Sequence, residues 1–145
     1  MLLEKSGKSD DEFAKKMAEL IQTSSIIGST ILAVVNRVAA ARAIHRLLDE
    51  RTRDKKDSLA ATVILLTGRS RSVERDVLLR EHASRLMAGR NRNQVKDQPA
   101  LIVIATQCVE VGADLDVDAL ITECCPLDAL RQRLGRLDRL GLLGS

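Results

Sequence analysis

A chain of 145 residues with 45% hydrophobic and 30% charged residues is long enough for one domain with a real core, and too apolar to remain disordered. The net charge of +3 is modest. No apolar run reaches the roughly 18 residues of a membrane helix and no leader pattern opens the chain, so the expectation is a cytoplasmic protein without a membrane partner.

Phe13 is the single aromatic residue, and Trp and Tyr are absent. Stacking on bases is thereby excluded as the means of holding a nucleic acid. The core must come from aliphatic residues, which suits parallel strands buried under helices. Arginine outnumbers lysine by 16 to 7, and arginine is the residue for bidentate contacts to phosphate or carboxylate. Cys108, Cys124 and Cys125 form no C-x-x-C pair, so buried thiols are expected and no metal site.

The elements follow in order. Ser9 to Thr23 places Phe13, Met17, Leu20 and Ile21 at helical spacing, with Ser9 or Asp10 as N-cap. Ser29 to Asn36 is an aliphatic strand. Val38 to Arg51 is a helix with Ala39, Ala43, Leu47 and Leu48 inside. Ala60 to Leu66 is a second strand, and Val73 to Met87 a second long helix with Val77, Leu78 and Leu86 towards the core. Gly89 to Pro99 is a polar loop whose Arg90, Arg92 and Lys96 are expected to be solubilising charge. Leu101 to Thr106 and Ala119 to Thr122 are further strands, and Leu127 to Leu137 the last helix. Strands alternating with helices imply right-handed crossovers and a parallel sheet.

In such sheets ligands lie beyond the carboxyl ends of the strands. Those ends carry Asn36 and Arg37, then Thr67, Gly68 and Arg69, then Thr106 and Gln107. Past the fourth strand, Gln132 to Arg139 spell Q-R-x-G-R-x-x-R. On a continuous helix, Arg133, Arg136 and Arg139 share one face. Three guanidiniums on one face call for an opposing anion, and a phosphate fits their donors. Gly7, Lys8 and Ser9 mimic the end of a phosphate loop but lack the earlier glycine and a preceding strand, so that reading is rejected.

Ala105 to Asp116 (A-T-Q-C-V-E-V-G-A-D-L-D) resembles motif V of superfamily 2 helicases. Gln132 to Arg139 resembles motif VI, and Val35-Asn36-Arg37-Val38 is similar to motif IV. Within the superfamily the likeness is to the CRISPR-associated nuclease-helicase of type I systems, through V-N-x-V, Leu65 to Arg69 with Arg75, A-T-Q-C-V-E and D-L-D-V-D. One departure is Thr67-Gly68-Arg69-Ser70, where many members have His-Ser-Arg-Phe.

The resemblance implies a RecA-like, P-loop NTPase-type three-layer α/β sandwich, with a mostly parallel sheet and helices on both faces. Residues 1–28 would be an N-terminal helix and linker. Residues 29–145 would be the second RecA-like domain, a fragment of a longer protein. It implies ATP and Mg²⁺ bound mainly by a first RecA-like domain, which here is the partner. Arg136 and Arg139 are then arginine fingers, and Gln132 contacts the phosphates or the attacking water. Gly112, Asp114 and Arg133 belong to the nucleotide cleft. Thr106, Asn36, Arg37 and Arg69 track the backbone of single-stranded DNA. The CRISPR RNA-guided surveillance complex is the further partner. The nuclease centre has no counterpart here, and the isolated chain is expected to be inactive.

Simpler readings stand beside these. Arg133 pairs with Glu123 or Asp128; Asn36 caps a helix; Thr106 and Asp114 are turn residues. The alternative functions are a non-catalytic nucleic-acid or protein-binding module, or the same domain of another superfamily 2 DNA or RNA helicase.

Overall fold

A computed structural model describes residues 2–54, 59–68, 72–109 and 114–141. Along the chain run α1 (Leu2–Ser24), β1 (Thr30–Val34), α2 (Val38–Arg53), β2 (Ala61–Leu66), α3 (Ser72–Glu81), α4 (Ala83–Leu86), β3 (Ala100–Ala105), β4 (Ala119–Thr122) and α5 (Leu127–Leu134). Short 3₁₀ turns occupy Arg92–Gln94 and Gln107–Val109.

The four strands form one sheet in the order β2-β3-β1-β4, and every pairing is parallel. The aliphatic runs explain why. β1 and β3, at the centre, are buried along their whole length, as strands covered on both faces must be. Alternate residues of each strand then feed two cores. Ala33, Val35, Ile102 and Ile104 face α1 and α2, whose Ala14, Ala18, Ile21, Ala41, Ile44 and Leu48 fill that layer. Leu32, Val34, Leu101, Val103 and Ala105 face Leu86, Leu115 and Val117 on the other side. The result is the expected three-layer α/β arrangement.

The helices depart from their expected faces in detail. In α2 the buried residues are Ala40, Ala41, Ile44 and Leu48, with Ala43 and Leu47 only partly covered. The buried stripe is rotated so that Ala39 faces solvent. In α1, Leu20 is half exposed while the small Ala14 and Ala18 are interior; α1 lies close against α2, and small side chains allow that approach. The helix begins well before Ser9, so neither Ser9 nor Asp10 caps it, and Gly7 to Ser9 lie within it. Its carboxyl end is closed by the hydroxyls of Thr23, Ser24 and Ser25, which donate to the carbonyls of Glu19, Leu20 and Ile21 at 2.8 Å each.

The expected long helix from Val73 to Met87 is two helices. His82, at φ −107° and ψ 15°, interrupts it. The break turns Arg85 inward, where its guanidinium donates to the carbonyls of Pro99 (2.8 Å) and Ser29 (3.1 Å). Val77 is left exposed, and Leu86 enters the core. The cysteines also differ from expectation. None is fully buried: Cys124 is exposed, Cys108 and Cys125 are half-buried, and all three are free thiols. They lie just past the strand ends, where the aliphatic layer stops.

Gly28 turns the chain into β1. It has φ +80°, and a Cβ there would stand 2.6 Å from the Lys96 Cα. Its N–H donates to the Gln98 carbonyl at 2.8 Å, so the two loops cannot separate to make room. Gly28→Ala is therefore expected to destabilise the chain by about 2 kcal/mol or more, read as a lower urea midpoint at unchanged m-value. An unchanged midpoint would show that this approach is not tight in solution.

Candidate functional site

Because all strands are parallel, their carboxyl ends share one rim, and there the structure ties the loops to one another. Asn36 is the knot. Its N–H donates to Glu123 Oε2 (2.7 Å), and its Nδ2 donates to the Cys124 carbonyl (2.8 Å). Its Oδ1 accepts from Arg133 Nη2 (3.0 Å), and its carbonyl accepts from Gln107 Nε2 (3.0 Å). Asn36 is thus not the cap of α2; Arg37 takes that position without a side-chain capping bond. Arg37 instead forms a two-pronged pair with Asp10 of α1, at 2.9 and 2.6 Å. The hydrogen bonds that the Asp10 carboxylate accepts, and then its charge, push the Arg37 guanidinium above its ordinary range. Thr106 is on the same rim but only 2% exposed. Its hydroxyl lies towards Cys108 Sγ at 4.0 Å, whose thiol donates to the Leu66 carbonyl at 3.4 Å.

The arginine segment does not form the single helical face that its spacing predicts. α5 stops at Leu134, and Gly135 caps it, its N–H donating to the Arg131 carbonyl at 3.0 Å. Arg133 is on the last helical turn and 1% exposed. Its guanidinium donates to the Thr122 hydroxyl (2.7 Å), the Glu123 carbonyl (3.2 Å) and Asn36. It braces β4, α5 and the β1 loop rather than sharing a surface with the other two arginines. Gln132, one residue earlier, is exposed.

Arg136 and Arg139 lie in the turns after α5, beside the segment that leads into β4. The Arg136 carbonyl accepts from the Val117 N–H (2.9 Å), and the Asp138 N–H donates to the Val117 carbonyl (3.0 Å). Asp138 takes a left-handed conformation, φ +40°, which aspartate tolerates better than most residues. Arg139 donates its N–H to Asp116 Oδ1 (3.0 Å) and pairs its guanidinium with Asp114 at 2.5 Å. Burial, and next the charge of Arg139, pull Arg136 below the usual arginine range, with Asp114 opposing.

Beneath these turns is a cluster that the composition of the loop hides. Arg90 and Arg92 are not surface charge. Arg90 has a fully buried side chain. It donates Nε to the Asp116 carbonyl (3.1 Å) and Nη2 to Asp118 Oδ1 (2.6 Å). Arg92 donates to Asp118 Oδ1 (2.9 Å), Asp116 Oδ2 (3.2 Å) and Asp138 Oδ1 (3.3 Å). Asp118 also accepts the Thr30 N–H at 2.8 Å, which fastens the cluster to the start of β1. The clue in the sequence is a shared period. Arg90 and Arg92 are two apart, as are Asp114, Asp116 and Asp118, and Leu115 and Val117 between them are buried.

The structure therefore separates the predicted site residues into two groups. Asn36, Arg37, Thr106 and Arg133 stand at the carboxyl ends of the strands. Asp114, Arg136 and Arg139 stand together beside the entry to β4. Gly112 and Arg69 lie outside the described residues. In the second group the two arginines oppose each other's charge, and the Asp114 carboxylate offsets that. Among the described residues no group of three or more His, Cys, Asp or Glu side chains could hold a metal ion. Nor is any helix among them long and apolar enough to cross a membrane.

A parallel sheet cored on both faces, with motif loops at the strand ends and an arginine turn after the last helix, defines a RecA-like α/β domain. The closeness extends to known proteins. The chain is 32% identical over 123 residues to the CRISPR-associated endonuclease/helicase Cas3 of Escherichia coli K12, covering 85% of this chain and 13% of that protein. The crystal structure of T. fusca Cas3 superposes with a TM-score of 0.73 at 25% identity, over 90% of this chain and 14% of that one. A CRISPR RNA-guided surveillance complex in a pre-nicking state matches with a TM-score of 0.60 at 28% identity, over 81% of this chain and 13% of that one. Residues 27–141 match the family described as CRISPR-associated nuclease/helicase Cas3, C-terminal. The chain belongs to that family, and is a C-terminal helicase domain of CRISPR systems.

The charge cluster sets a pH response. Burial alone would raise the Asp118 carboxyl, but hydrogen bonds from Arg92, Arg90 and the Thr30 N–H outweigh it and hold the group below its ordinary range. Its stabilisation is then complete above the unfolded-state value of roughly 4 and is lost as pH falls through the lower folded value. Asp118→Asn is expected to cost about 3 kcal/mol at neutral pH. Arg90 Nη1 already finds no acceptor among the described residues, so the loss cannot be shared. Below pH 4 the variant and the parent should converge, measured as urea midpoints from pH 7 to 3. A constant gap across that range would show that Asp118 is not the titrating group.

Proposed function

We propose that this chain is the second motor domain of an ATP-dependent DNA translocase acting in type I CRISPR interference. It completes an ATP site whose phosphate loop and Mg²⁺ ligands belong to a first RecA-like domain. The observation that carries the reading is the pairing of Arg136 and Arg139 on a turn fastened beside Asp114, at the end of a motif VI sequence. ATP, when bound, supplies the phosphoanhydride whose hydrolysis drives movement.

The residues of this chain have distinct tasks. Arg136 and Arg139 present fixed positive charge where phosphoryl oxygens gain negative charge. Arg139 rests on Asp114, but both side chains are substantially exposed, 42% and 63%. Such a pair is worth no more than about 1 kcal/mol, so a phosphate can replace the carboxylate at little cost. Gln132 is exposed one turn before and free to meet the phosphates or water. Asp114, and Gly112 by its place in the motif, border the nucleotide.

At the other rim, Arg37, Asn36 and Thr106, with Arg69 by its place in the motif, follow the backbone of single-stranded DNA. Arg37 is the exposed cation there. Asn36 and Thr106 shape the loop that carries it, and the Thr106 hydroxyl reaches a phosphate only if the turn at Cys108 opens. Delivery to DNA by an RNA-guided surveillance complex completes the proposal; it is supported by the similarity to the pre-nicking complex.

Two outcomes test it. The isolated chain should show negligible ATP hydrolysis; turnover in a clean preparation, abolished by Arg136→Ala, would count against a half-site. In a polypeptide joining this chain to the first motor domain, Arg139→Ala should lower ATP hydrolysis by roughly 10³-fold or more while DNA affinity changes little. Equal losses in both would assign Arg139 to the DNA track instead. Arg37→Ala should do the reverse, weakening DNA binding and lowering its salt slope by about one phosphate contact.

A further inference from the structure

Arg92 reaches from the fixed start of the sheet to the turn bearing the two arginines. Its Nε serves Asp118, and its Nη2 serves both Asp116 and Asp138. Asp118 is bonded to the first residue of β1. Asp116 holds the Arg139 N–H, and Asp138 is the residue immediately before Arg139.

Arg90 shows what Arg92 adds. Arg90 also neutralises Asp116 and Asp118, from the buried side, at 3.6 and 2.6 Å. Those two carboxylates would therefore keep a cation if Arg92 were removed. The arm to Asp138 has no such duplicate among the contacts of Arg90. The backbone of Val117 also holds this turn; what Arg92 adds beyond Arg90 is a charged side-chain tie to Asp138, the residue next to Arg139.

We infer that Arg92 is a positioning residue for ATP hydrolysis: by bridging Asp118, Asp116 and Asp138 it fixes the turn that aims Arg136 and Arg139. This rests on the reading of Arg139 as phosphate-facing. The two-nitrogen span matters as well as the charge. A lysine places one nitrogen where Arg92 uses two, so it cannot serve Asp118 and Asp138 together.

The test uses a polypeptide joining this chain to the first motor domain, with DNA-stimulated ATP hydrolysis as the readout. Arg92→Ala is expected to lower kcat roughly 10- to 100-fold with KM for ATP little changed, as for a misplaced transition-state contact. Arg92→Lys should recover only part of the loss. The deciding measurement is the double variant: Arg92→Ala with Arg139→Ala should be no slower than Arg139→Ala alone, because Arg92 acts through Arg139. Multiplied losses would make Arg92 merely structural and overturn the inference. Should Arg92→Ala not fold, Asp138→Gly removes the same arm at a residue free to keep positive φ. An unchanged kcat in that folded variant would likewise overturn it. If Arg139→Ala itself leaves hydrolysis intact, the phosphate-facing reading fails, and this inference falls with it.

Discussion

The interior pairing of Asp116 and Asp118 with Arg90 and Arg92 is the constraint on which the rest of the chain depends. Taking such ions out of water costs several kcal/mol each. The cost is recovered only because each carboxylate accepts several donors at once: Asp118 from two guanidiniums and the Thr30 N–H, Asp116 from Arg92 and the Arg139 N–H. An apolar replacement could hold the same volume. It could not reach both the first residue of β1 and the turn after α5. The cluster thus converts the position of the sheet into the position of Arg136 and Arg139.

A second knot does the same work at the opposite end. Asn36 and Arg133 join β1, β4, α5 and the loop after β3 through side-chain hydrogen bonds to backbone carbonyls and to each other. The two knots are linked by α5 and β4, which run between them. A shift of α5 along its axis would strain both. Under the proposed function, that mechanical continuity is what would let a nucleotide at one end be felt by a polymer at the other.

The aliphatic strands were legible from the sequence, and so was the parallel sheet, because a strand covered on both faces has no polar alternation to hide it. The motifs in the loops were legible as resemblance. The arginine geometry was not. A spacing of three places side chains on one face only while the helix lasts, and nothing in Leu134-Gly135 states that α5 ends there rather than continuing through a glycine. Arg90 and Arg92 depart from expectation for a related reason. A polar loop with basic residues is ordinarily solvated, and burial of those residues is decided by aspartates far along the chain. Their common two-residue period with Asp116 and Asp118 was the available sign. Arg133 shows the limit of type-based reasoning most clearly: its fork of donors suits a phosphate, yet a hydroxyl, a backbone carbonyl and an amide oxygen accept from it here.

The sheet order has a consequence for how this domain comes into being. No strand lies beside the one made just before it except β3 beside β2, and β1 waits for β3, with Thr30 aligned to Leu101. Both strand pairings of β1 close long loops, whose entropy must be met before the packing returns it. A ribosome releasing this chain therefore exposes two unpaired aliphatic strands until Ala105 emerges, and the second core still waits for Leu115 and Val117.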